Sequence, residues 1–201
     1  MITGLRPETF QNLQLNAGVF LVDFDASAFT DAAALEDGVL AALEEGSKIL
    51  GATIGGGTFA AEPSMRTIEA DGMRYPIIGS TVNDMWTVKL STTLKEVTPD
   101  NFKRALVSCD MDTSKPNVTV LTVRTDIKDT DYIPKLSWIG DTSKGFVMIE
   151  LDNALNLAGA SFTFTDKGEG TLPVEFQGHL SDLTKMEYAP FRIYFFDEAA
   201  V

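Results

Sequence analysis

A chain of 201 residues, 44% hydrophobic and 22% charged, is long enough for one domain with a full core and has the composition of an ordinary globular protein. Its 29 acidic residues against 16 basic ones give a net charge of −13, which argues against a nucleic-acid grip: phosphate binding needs clustered Lys and Arg, and no cluster is visible. The single cysteine, Cys109, rules out an intramolecular disulfide. No apolar run approaches membrane-spanning length, and the N-terminus lacks the basic start and apolar centre of a signal peptide, so the expectation is a protein made and kept in the cytoplasm.

Residues 1–16 read as a polar arm with Phe10 and Leu13 as its only sizeable anchors, and residues 19–24 as a short strand. The next stretch, 25–46, is rich in Ala and acid. Leu35, Val39 and Leu43 share a helix face, Gly38 interrupts it, Gly46 is a plausible stop, and Ser27 or Thr30 is a candidate cap. Such a stripe is thin, so residues 26–46 read as an excursion from the domain, helical or mobile. From residue 50 the β signals hardly stop. Gly55, Gly56 and Gly57 let backbones pass closely or bend a strand, and residues 65–69 and 73–78 flank Asp71-Gly72, a tight-turn dipeptide.

The least ambiguous stretch is 83–109. Trp86, Val88 and Leu90 alternate with Thr87, Lys89 and Ser91, the pattern of a strand with one buried face. The period then changes: Thr98 is a good N-cap, Pro99 suits the first helical position, and Phe102, Ala105 and Leu106 recur at helical spacing. A helix over about 98–108, laid on a sheet, follows. Strands are expected at 118–124, at 132–139, where Pro134 points to an edge, and at 146–151. Residues 161–165 and 171–177 form a hairpin setting Phe162 and Phe164 against Leu172, Val174 and Phe176. The last strand, 191–196, carries Ile193 and Phe195 and is apolar enough that both faces should be covered. The fold class is therefore mainly β (α+β): one domain over 1–201, a β-sandwich or barrel of about 8–10 strands with one packed helix. Its expected core comprises Trp86, Val88, Leu90, Phe102, Leu106, Phe162, Phe164, Phe176, Ile193 and Phe195.

Catalytic inventory is thin. His179 is the only histidine, and no G-x-S-x-G, H-E-x-x-H or C-x-x-C motif occurs. Residues 51–58 miss a phosphate loop because Gly57 stands where the lysine is required. Asp110 and Asp112, or Asp126, Asp129 and Asp131, match no EF-hand loop. Trp138 and Tyr132 are the candidates for an aromatic sugar platform, with core or interface the better reading. No enzyme activity, cofactor or metal is expected.

Residues 50–106, with LGATIGGGTF and RTIEADGMRYPIIGSTVNDMWTVKLSTTLKEVTPDNFKRAL, resemble the tail tube (major tail) proteins of tailed phages and prophages. The opening LNAGVFLVDFD at 15–25 and the closing TFTDKGEGTLPVEFQGHL at 163–180 with PFRIYFF at 190–196 are similar too. The resemblance implies a β-sandwich flanked by a helix, assembled as hexameric rings stacked into a hollow tube in the virion tail. The expected partners are further copies of the chain and other tail proteins (tape measure, tail terminator, tail tip), with DNA passing without specific binding and no membrane involved. Such proteins reach neighbouring subunits with long loops, so residues 26–46, through Asp31, Leu35, Val39 and Leu43, are expected to be an assembly arm ordered only against a neighbour. The alternative is a β-sandwich carbohydrate-binding or adhesion module of a phage or cell surface.

Overall fold

The computed structural model describes residues 9, 13, 14 and 16–197; most of the arm expected over residues 1–16 lies outside the described residues. Among them are nine strands and two α-helices, in the order β1 (Val19–Val22), α1 (Ala32–Glu45), β2 (Thr53–Thr67), β3 (Thr81–Leu94), α2 (Pro99–Ala105), β4 (Cys109–Lys115), β5 (Val118–Val123), β6 (Ile133–Thr142), β7 (Gly145–Asn156), β8 (Leu172–Gln177) and β9 (Phe191–Asp197). The fold is mainly β with antiparallel pairing, as the alternation predicts.

Seven strands form one hydrogen-bonded sheet folded on itself, and β4–β5 stand apart as a two-stranded ribbon. The fold turns on β7. Residues 145–151 lie between β6 and β9, whereas Leu155 and Asn156 pair with β8, which leads on to β3 and β2. One strand thus passes from the layer β1-β6-β7-β9 into the layer β8-β3-β2. Alternation along β1 shows how the layers fill: Phe20 and Val22 point between the two sheets, with Leu136, Leu151, Val88, Leu90, Val174 and Phe176, while Leu21 points out beneath α1. Gly57 marks a close approach between the layers. A Cβ there would lie 2.5 Å from the Phe20 ring and 2.9 Å from the Ser91 carbonyl, so only glycine lets β2 close on this core.

Residues 26–46 are not an excursion. Asp31, rather than Ser27 or Thr30, caps α1 by accepting from the Ala34 N–H at 2.8 Å, and Gly46 ends it in the left-handed region at φ 72°. Leu35 is 0% exposed, and together with Ala32 and Ala42 it packs on Leu21, Ile139, Met148 and Phe196. The alanines bring the helix close to the sheet. Gly38 is likewise a close-packing position, since a Cβ there would meet the Phe29 ring at 2.4 Å. Leu35 is therefore core rather than assembly surface. Val39 is partly buried in the same cluster, and only Leu43 and Asp31 remain exposed.

The helix expected near 98–108 is α2, capped by Thr98 accepting from the Asn101 N–H at 3.2 Å. Phe102 joins the core edge-on to Phe162 at 5.4 Å, and Leu106 is half-buried at the helix end. Val88, Leu90 and Phe176 are buried as expected. Four expected core residues are not. Phe164 is 78% exposed because the hairpin expected at 161–177 is reduced to a single bridge, Thr163 to Thr171. Phe195 is 75% exposed and Ile193 also open, because β9 is covered on its Tyr194/Phe196 face while its other face runs past the opposite sheet beyond Phe191. Trp86 is the fourth. Pro134 does not mark an edge either: β6 lies between β1 and β7, and Pro134 sits at its start, before the pairing with β1 begins at Leu136.

A charge is buried on the α1 side of the β1-β6-β7-β9 layer. Glu150 on β7 has a fully buried side chain that accepts from Lys135 Nζ at 2.6 Å and from the Ala26 N–H at 2.9 Å, with Arg192 Nη1 at 3.5 Å. Asp152, two residues on, meets the same two cations at 2.6 and 3.1 Å. Burial alone would push the Lys135 ammonium down, but the hydrogen bonds to Asp152 and Glu150 outweigh it and hold it above the ordinary lysine value. The cation's contribution is therefore complete below about pH 10.4 and lost only as pH rises through the raised value.

Three measurements check these contacts. Gly57→Ala should lose about 1–3 kcal/mol in urea denaturation, the usual result of overpacking, and native stability would mean Phe20 moves freely. Glu150→Gln should lose about 3 kcal/mol, the lower end for a broken buried pair because Lys135 keeps Asp152. The stability gap between the unaltered protein and Lys135→Met should stay level from roughly pH 6 to 10 and narrow above that. A gap that narrows on acidification within that window would contradict the assignment.

Candidate assembly surface

β3 is 14 residues long, but β8 pairs only with residues 89–94 of it. Beyond that point β2 and β3 continue alone, pairing through Glu62↔Thr87, Pro63↔Trp86 and Ser64↔Met85 to Thr67↔Thr81. At about 3.3 Å per residue this ribbon projects roughly 20 Å past the sandwich. Neither face is packed: residues 62–66 and 83–86 are all exposed. A two-stranded ribbon by itself is marginally stable, and its outer backbone groups are a template for pairing.

The end of the ribbon is nevertheless well defined. Met73 donates to the Ala70 carbonyl at 3.0 Å and Ser80 to the Ile77 carbonyl at 3.0 Å, each across a turn whose third residue, Gly72 or Gly79, has positive φ. That is the requirement of a type II turn. The Asp71-Gly72 turn is thus present as expected, but residues 73–78 form no strand, and the return strand starts at Thr81. The two turns present Ile68, Tyr75, Ile77 and Ile78 to solvent, with Ile78 wholly exposed. Sequence pattern missed this concentration because Ile and Tyr are strand formers, and their exposure depends on what lies opposite.

A second unpartnered surface is β9. Its inner edge pairs with β7 over residues 145–151, and among the described residues no strand pairs with its outer edge. Ile193 and Phe195 stand open beside it, next to the partly buried Ile149. Apolar side chains along a free strand edge are a liability unless another chain covers them.

Trp86 belongs to the base of the ribbon. It lies on the same face as Val88 and Leu90, as alternation requires, but sits beyond the last β8 pair, so the face is right and the cover is missing; it is 42% exposed. Phe102 faces Phe162 and not Trp86. The chemistry-bearing candidates are dispersed. His179 Nδ1 lies 3.2 Å from the Asn153 carbonyl with its ring edge-on to Tyr132; Asp110 and Asp131 are both engaged by Arg124, at 2.8 and 2.6 Å. Trp138 is packed against the core, its indole N–H donating to the Ala17 carbonyl at 2.9 Å. Residues 53–58 lie in β2, and among the described residues no three His, Cys, Asp or Glu side chains gather as a metal site.

No protein-family model matches the chain, and no curated protein matches it.

Since Trp86 has lost its cover, Trp86→Ala should cost under about 1–2 kcal/mol, against about 3–5 kcal/mol for a fully buried aromatic. Thermal melting of the variant checks this, and a loss in the larger range would return Trp86 to the core.

Proposed function

We propose that the protein is a self-assembling structural subunit rather than a catalyst. In its particular form it is the tube subunit of a phage or prophage tail, built as stacked hexameric rings that guide DNA out of the virion. The observation that carries the reading is the ribbon of residues 62–87, which extends past its own sandwich with no packed face and ends in four exposed large side chains. A chain gains nothing from ordering such an element alone, so the element finds its stability against another copy. The open edge of β9 supports the same conclusion, and the resemblance across residues 50–106 supplies the tail tube form. A net charge of −13 per copy suits a wall that repels rather than binds DNA. The assembly role given by sequence to residues 26–46 passes to the ribbon, because α1 is packed on its own sheet.

Replacing residues 66–82 by Asn-Gly shortens the ribbon and leaves the sandwich intact. The variant should keep its melting temperature and remain monomeric where the unaltered chain, concentrated, forms rings or tubes in electron micrographs. Tubes of normal length from the shortened chain, or labelling of this protein in intact particles at the capsid or only at a tail tip, would overturn the reading.

A further inference from the structure

Where the ribbon leaves the sandwich, Trp86 and the strongly exposed Tyr188 border one open cleft of about 440 Å3, and a second of about 360 Å3 adjoins it, the two sharing His179 and Leu180 as a wall. From these we infer a binding site for a short, uncharged oligosaccharide at the base of the ribbon, open in the unassembled chain. Sugar rings offer apolar C–H faces and hydroxyl edges. They are held by exposed flat aromatic rings flanked by fixed polar atoms.

The aromatic part lies on both sides of the shared wall: Trp86 and Tyr188 border the first cleft, Tyr132 the second. The polar part is held in place by the protein. Asp84 is tied through Oδ1 to Arg66 Nε at 2.9 Å, which orients its carboxylate and answers its charge while no described residue engages Oδ2. His179 is fixed through Nδ1, 3.2 Å from the Asn153 carbonyl. A carbonyl only accepts, so Nδ1 carries the hydrogen and Nε2 is the ring nitrogen left for a ligand. Glu187 lines the same cleft as Asp84. Anchored acceptors of this kind call for hydroxyl donors.

The lining also selects the ligand's charge. Among the described residues no Lys or Arg borders either cleft, while Asp84, Glu187 and Asp129 do. Phosphates, sulfated glycans and uronic acids are disfavoured, and a neutral glycan is left as the match.

The test is a titration of the isotope-labelled, unassembled full chain with cellohexaose, chitohexaose and maltohexaose, following the Trp86 indole N–H, which Trp86→Phe identifies against that of Trp138. At least one sugar should give saturable shifts at Trp86 with a dissociation constant of about 1 mM or tighter, insensitive to salt, and binding should weaken at least about tenfold in Trp86→Ala and in Tyr188→Ala. Because Tyr188 is strongly exposed, its variant keeps the test valid if Trp86→Ala folds poorly. No shift with any of the three at about 10 mM, or shifts mapping elsewhere, would overturn the proposal. Equal binding by the Tyr188→Ala variant would do the same. Salt-sensitive binding of tetralysine in place of sugar would overturn it too, by making the cleft an acidic surface for a cationic peptide.

Discussion

An ionised carboxylate cut off from water has to be answered by its surroundings, and in this protein the answer to Glu150 joins most of the fold. Lys135 comes from β6, Arg192 from β9, and the Ala26 N–H from the turn that leads into α1. Three elements are therefore held to β7 in one register. A slip of one residue along either neighbouring strand would turn its cation to the opposite face and leave the charge unpaired, which is far worse than losing one apolar contact. Next door, Ser137 is wholly buried and donates to the Phe24 carbonyl at 3.0 Å, fastening the same turn a second time. Packing on both sides of this sheet can then be tight, with α1 outside and β8-β3-β2 inside.

Rigid registration at the centre allows irregularity at the margins. Since β7 passes from one layer to the other, each layer leaves strands running past the far one: the ribbon of β2 and β3 on one side, the outer face of β9 on the other. Apolar residues on those overhangs are surface residues in the single chain. The expense of keeping Ile77, Ile78 and Phe195 in water is explained if a further copy covers them. The cleft beside Trp86 has the same origin, a strand continuing beyond its cover, but its walls are mixed polar and aromatic, so it suits a small hydrated ligand better than a protein face.

Local signals were legible wherever they depend on neighbours in sequence. Thr98 and Pro99 announce α2; the alternation of Val88 and Leu90 names the buried face of β3; Asp71-Gly72 marks a turn; the Gly57 region marks a close approach of backbones. The capping of α2, φ preference and the two-residue period act over a few residues, and the sequence by itself determined them, together with the mainly β class and the acidic balance. Tertiary structure alone decided how far each buried face extends. Trp86 shares its face with Val88, and Ile193 and Phe195 share theirs with Phe191, yet in each pair the cover stops between the two, because strand length and partner length differ. Tertiary structure likewise decided that α1 belongs to the core. Its alanines carry little burial signal individually, and only the sheet beneath, with Leu21, Met148 and Phe196, makes small residues the ones that fit. Periodicity states which side of an element faces inward; whether anything stands opposite is a property of residues distant in the chain.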